Sequence, residues 1–117
     1  LGVGRRLGPG SSINRARFAV GGVVQHQLFE YRGVIVAIDA RCLASDEWYD
    51  QMARSKPPKN KPWYHVLVHQ ATHMTYVAEQ NLIADDSGGV VDHPLLLQFF
   101  RGFENGRYIP ADPKPSN

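Results

Sequence analysis

A single cysteine and the lack of any long apolar run set the first limits on this sequence. Cys42 has no second cysteine, so an internal disulfide and a thiolate zinc cluster are both excluded. A reducing, cytoplasmic setting fits that usage. The longest apolar runs are strand-sized, such as residues 34–38, well short of the ~20 residues that cross a bilayer. No membrane partner is therefore expected. Catalytic groupings are missing too. Serines such as Ser45 and Ser87 fall at caps or in loops, outside any nucleophile-elbow pattern. The glycines of "GVGRRLG" are wrongly spaced for a phosphate loop and follow no strand. Asp85 and Asp86 lie in a polar loop rather than as a catalytic pair. His65 and His69 share a strand face but stand roughly 13 Å apart, too far to hold one ion. These absences argue for a binding protein without metal or other cofactor, and against an enzyme.

Charge is present but unevenly placed. Residues 1–62 carry ten Lys/Arg against five Asp/Glu, and residues 63–117 carry three against six. A basic half beside an acidic half suits an anionic partner, although solvated tails and loops produce the same pattern. Residues 1–17 contain arginines and no acid. They have neither the apolar core of a secretory signal nor an amphipathic pattern, and read as a flexible basic tail. Leu1 is not a methionine, which leaves the native start open. Residues 111–117 read as a second flexible tail.

Between the tails the pattern is mainly β. Residues 23–27 and 31–39 are expected strands, close enough for a hairpin, and Gly33 suggests a bulge or a close backbone approach. Ser45 is a helix N-cap, with Asp46 and Glu47 in the first turn and Trp48 and Met52 on one face. Residues 54–61 hold three prolines and cannot be regular structure. Residues 63–69 and 73–78 are expected strands around the turn "QATH". A further strand piece follows "EQN". A second helix is expected from Asp92 or His93, with Leu95, Leu96, Phe99, Phe100 and Phe103 as its apolar stripe. "YIP" is a terminal strand or an ordered tail. The expected fold is one domain over residues 18–110. It is a small, SH3-like, partly open β-barrel of about five strands with one or two short helices.

The binding signal is the basic loop of Arg54, Lys56, Lys59 and Lys61, which runs into Trp63 and Tyr64. Cations that neutralise phosphate beside rings that stack on bases suit nucleic acid. Aromatics at a strand start are more often core residues than stacking platforms. Tyr31, Trp63, Tyr64 and Tyr76 could instead form an aromatic cage for a cationic side chain. The candidate DNA contacts are Arg32, Arg54, Lys56, Lys59, Lys61 and Tyr64. Trp48, Leu96 and Phe100 are the candidate protein contacts.

The strings "FAVGGVVQHQLFEYRGVIVAID", "DEWYD", "PWYHVLV", "TYVAEQNL" and "DHPLLLQFF…GRYIP" resemble the YccV-like, hemimethylated-DNA-binding domain, and more narrowly its heat-shock members. The likeness runs in consistent order over residues 18–110. It implies a small barrel-like fold and preferential binding of hemimethylated DNA. It further implies an adaptor or specificity role for an AAA+ protease such as Lon, in a heat-shock setting, and self-association with a trimer favoured. The alternative is an SH3-like or Tudor-like module that recognises a cationic or degron peptide without DNA.

Overall fold

The computed structural model describes residues 15–53 and 55–111 of the chain. Seven strands and two short helices follow in the order β1 (Val23–His26), β2 (Arg32–Asp39), α1 (Asp46–Met52), β3 (Trp63–Val68), β4 (Met74–Ala78), β5 (Leu82–Ala84), α2 (Leu96–Phe99), β6 (Phe100–Glu104) and β7 (Arg107–Pro110). Five of the strands form one antiparallel sheet in the order β4-β3-β2-β1-β5. The sheet does not close on itself, so the barrel is partly open, as expected. A single 3-10 turn at Glu79–Asn81 carries the chain from β4 at one edge to β5 at the other.

Strand alternation sorts the core onto the two faces of this sheet. Val24, Ile35, Tyr64, Val66, Val77 and Leu82 form one cluster, closed by Phe18 and Ile38. Val23, Val34 and Leu67 form the other face, covered by Val91, Phe100 and Tyr108. Gly33 makes the expected close approach. A Cβ there would stand 2.5 Å from Val66 Cγ1 and 2.6 Å from the Leu67 carbonyl oxygen. The register break, however, lies between Ile35 and Ala37 rather than at Gly33. Helix α1 begins as the sequence indicates, with the Trp48 N–H donating to Ser45 Oγ at 3.0 Å. The fold begins before Phe18, since Ala16 packs on the inner cluster and the Arg17 N–H donates to Glu79. The rest of the expected tails, residues 1–14 and 112–117, lies outside the described residues.

The second helix differs from expectation. It is a single turn, α2, and from Phe100 onward the chain is a β-hairpin. Asn105 and Gly106 form the turn with φ of 55° and 79°, the left-handed pair that a two-residue hairpin requires. Phe103 lies opposite Tyr108 across the hairpin, with ring centroids 4.6 Å apart. Cross-strand aromatic pairing and the Asn-Gly turn together outweigh an i, i+4 stripe with no interior cap. His93 does not cap the helix itself; its Nδ1 accepts the Leu95 N–H at 3.1 Å. Phe100 is 3% exposed and packs in the core, so it is not the expected protein contact. Leu96 is half-buried against the same cluster, and Leu97 is the side chain turned outward.

His26 pins the turn between β1 and β2. Its Nδ1 accepts the N–H groups of Leu28 and Phe29, each at 3.1 Å, which only an unprotonated Nδ1 can do. Burial lowers its pKa below the ordinary histidine value. The unfolded chain therefore takes up this proton first as pH falls. The stability that His26 contributes is complete above about pH 6.5 and declines as pH drops through that value towards the lower folded-state pKa. Urea unfolding followed from about pH 8 to about pH 5 should show the midpoint falling in the acid half, with a shallower fall in His26→Gln.

Candidate functional site

Two surface features carry the residue types that bind partners. The first is an apolar groove along β4, and its floor depends on the bulge in β2. One extra residue at Val36 reverses the side-chain parity of the strand beyond it. Ile38 then lies opposite Tyr64 on the inner face, and Asp39 lies opposite Trp63 on the outer face. There Asp39 Oδ2 accepts the Tyr76 hydroxyl at 2.6 Å and meets His65 Nε2 at 3.2 Å. The Leu43 N–H donates to the same tyrosine oxygen at 3.1 Å. Burial, reinforced by the bond to Asp39, raises the Tyr76 pKa and keeps the hydroxyl a donor. Trp63 is 1% exposed, and its indole N–H donates to the Pro58 carbonyl at 3.1 Å. Trp48 of α1 sets its ring edgewise on Trp63 and Tyr76, at 6.0 and 5.7 Å.

The groove over this floor has a volume of about 610 Å³. Trp48 and Met52 of α1 wall one side, and Leu28 and Phe29 of the β1–β2 turn wall the other. Phe29 is 70% exposed and Met52 62% exposed, high for large apolar side chains. Sequence reading passed over Leu28, Phe29 and Met74. The available signal was "LF" in a turn between two strands, where polar residues are usual.

The second feature is a shallow depression of about 390 Å³ lined by Arg41, Cys42, Leu43, Ala44, Asp46, Lys59 and Asn60. The Cys42 N–H donates to the Lys59 carbonyl at 2.8 Å and ties the two basic segments together. Lys59 Nζ meets Asp46 Oδ1 at 2.7 Å, and that bond raises the lysine pKa and lowers the aspartate pKa. Lys56 Nζ meets Asp50 Oδ1 at 3.4 Å. Both pairs are solvent-exposed and weak, so either lysine can exchange its partner. Lys61 is exposed and makes no ion pair among the described residues, and Arg54 lies outside them. Arg41, absent from the sequence-derived candidates, joins this set.

Other candidates are committed inside the fold. Arg32 Nε donates to Asp85 at 3.1 Å, and its two terminal nitrogens donate to the carbonyls of Val90 and Gly89. Burial pushes the Asp85 pKa up, but hydrogen bonds from Ser87 and Arg32 prevail and hold it low. Arg32 therefore fastens the loop of residues 85–90 and does not present a free charge to phosphate. Tyr64 is fully buried, its hydroxyl donating to Glu79 at 2.5 Å, so stacking on a base is closed to it. No four-ring cage forms: Trp63 and Tyr76 share one face, Tyr64 lies on the other, and the Tyr31 hydroxyl is bonded to Thr75. Trp48 is half-buried on Trp63 and still borders the groove.

Tyr76→Phe tests the floor. It leaves the Asp39 carboxylate and the Leu43 N–H without their shared partner, a loss of about 1–3 kcal/mol. Urea denaturation should show the midpoint falling with an unchanged slope.

No helix among the described residues is long and apolar enough to cross a membrane, and no cluster of potential ligands among them could hold a metal ion. Residues 16–107 match the family described as hemimethylated DNA-binding protein YccV like. The match takes in the whole five-stranded sheet, the basic loop, the groove and the first strand of the final hairpin. It is a family of DNA-binding domains, not of enzymes. With most of its length matched in this way, the chain belongs to the YccV-like, hemimethylated DNA-binding family.

Proposed function

We propose that this domain is a non-enzymatic DNA-binding module whose phosphate contacts are Arg41, Lys59 and Lys61, with Lys56 beside them. The observation that carries this reading is that Arg41 and Lys59 line one depression, with exposed Lys61 following Asn60 in the chain, and that Arg41 and Lys61 have no ion-pair partner among the described residues. Thirteen Lys/Arg against eleven Asp/Glu give a net charge of only +2, so whole-chain attraction to DNA is weak and a local patch must add to it. Affinity should be modest and strongly salt-dependent. Arg41, Lys59 and Lys61 changed together to Glu should reduce duplex affinity and flatten the log–log salt slope by about three. Phosphate contacts position the protein without reading bases, so methylated and unmethylated duplexes should lose affinity alike. Unchanged affinity and slope in a folded triple variant would remove the assignment.

A second reading is supported by the exposed apolar walls of the groove. The sequence strings resemble the heat-shock protein HspQ, which implies an adaptor role for a Lon-type AAA+ protease in the cytoplasm. Leu28, Phe29 and Met52 are the kind of surface such a partner would cover. Pull-down with purified Lon-type protease, with and without residues 1–14, should retain the protease in at least one case. Capture by neither form rejects the adaptor role.

A further inference from the structure

We propose that the open edge of β4 takes up an extended, uncharged peptide segment of a partner protein as an added strand. This deepens the protein-binding reading and rests on it only in taking the partner to be a protein. β4 is the last strand of its sheet. The Glu79 N–H donates to the Pro62 carbonyl and the Val68 N–H to the His73 carbonyl. Those two bonds set the phase of the β3–β4 ladder. With Met74 opposite Leu67 and Tyr76 opposite His65, the N–H and C=O groups of Met74 and Tyr76 point away from β3, along the free edge.

The groove lies on that edge. Every residue from His73 to Ala78 lines it. Successive side chains on a strand face opposite ways, so a groove touching all of them runs beside the strand and not over one face. The edge also lacks the usual protection. "MTYVA" contains no lysine, no proline and no charge, the devices that keep edge strands from pairing.

The lining defines the occupant. Histidines aside, none of the described residues that line the groove is charged. An uncharged segment with alternating apolar side chains matches such a lining, and the backbone edge supplies its hydrogen bonds. Leu28, Phe29, Trp48 and Met52 line the groove beside that edge and offer apolar contacts to the side chains of such a segment. Five residues of strand give a contact about 17 Å long.

The probe is an acetylated and amidated heptapeptide of alternating valine and threonine with a central phenylalanine. Its control carries N-methyl groups on alternate residues, which removes the donors facing β4. Hydrogen exchange of the Met74 and Tyr76 amides should slow with the peptide, and the N-methylated control should bind about tenfold more weakly or worse. Phe29→Ala and Met52→Ala, both at exposed positions, should each weaken binding about tenfold and leave duplex DNA affinity unchanged. Unchanged exchange at about 1 mM peptide, or equal binding of the N-methylated control, overturns the added strand. Loss of DNA affinity in Phe29→Ala overturns the separate site. A dimer in sedimentation whose Met74 and Tyr76 amides are already protected makes a second copy the occupant and also overturns it. Peptide binding and protease capture are read separately, so either can fail alone.

Discussion

One extra residue in β2 decides what the outer face of the sheet can do. Without the bulge at Val36, strict alternation would turn Asp39 inward with Ile35, and bury a carboxylate among Tyr64, Val66 and Leu82. With it, Ile38 fills the inner face and Asp39 reaches Tyr76 and His65 outside. That hydrogen-bonded cluster holds Tyr76 against Trp63 and Trp48, and so gives α1 a surface to dock on. α1 has seven residues, none of them buried, and would be marginal alone. Its place is set by Ser45 at its N-terminus, by Trp48 on the paired rings, and by the Tyr49 hydroxyl donating to Pro57 at 2.6 Å.

Electrostatics then divides the surface. A domain near neutrality has little long-range pull on DNA, so binding depends on where its cations stand relative to its own acids. Arg32 is engaged with the loop that bears Asp85, and Lys56 and Lys59 lie against the acids of α1. The first arrangement is partly buried and tied by three hydrogen-bonded partners; the others are exposed and exchangeable. The same residue types in one sequence are therefore structural in one place and available in another.

Much of this was legible in the sequence, and the rest has physical reasons for being hidden. Strands β1 to β4 announced themselves by β-branched alternation, and α1 by its Ser45 cap and acidic first turn. The final hairpin was misread because Leu95, Leu96, Phe99, Phe100 and Phe103 mimic a helical stripe, although Asn105-Gly106 was the stronger local signal. The bulge left no mark, because Val36 looks like any residue of a buried strand. Lys56, Lys59 and Lys61 stand out as candidates from composition and proline content. Arg41 was not, because only the bond between Cys42 and Lys59 brings it to that loop. Trp63 and Tyr64 faced opposite ways as alternation required, yet both are buried, because this sheet is covered on both faces. A single strand cannot reveal that.

The two surface features meet at α1. Asp46, at its start, borders the basic depression, while Trp48 and Met52, a turn further on, wall the groove. Lys59 connects them: its ammonium group lies 2.7 Å from Asp46 and 4.5 Å from the centroid of the Tyr49 ring. A phosphate that draws Lys59 away removes both contacts from the first turn and leaves the Ser45 cap, Trp48 and the Tyr49–Pro57 bond to hold the helix. The helix end beside the basic depression and the helix face that lines the groove belong to one helix of two turns. The Tyr76–Asp39 bond beneath Trp48 holds the floor of the groove independently of Lys59 and its partners.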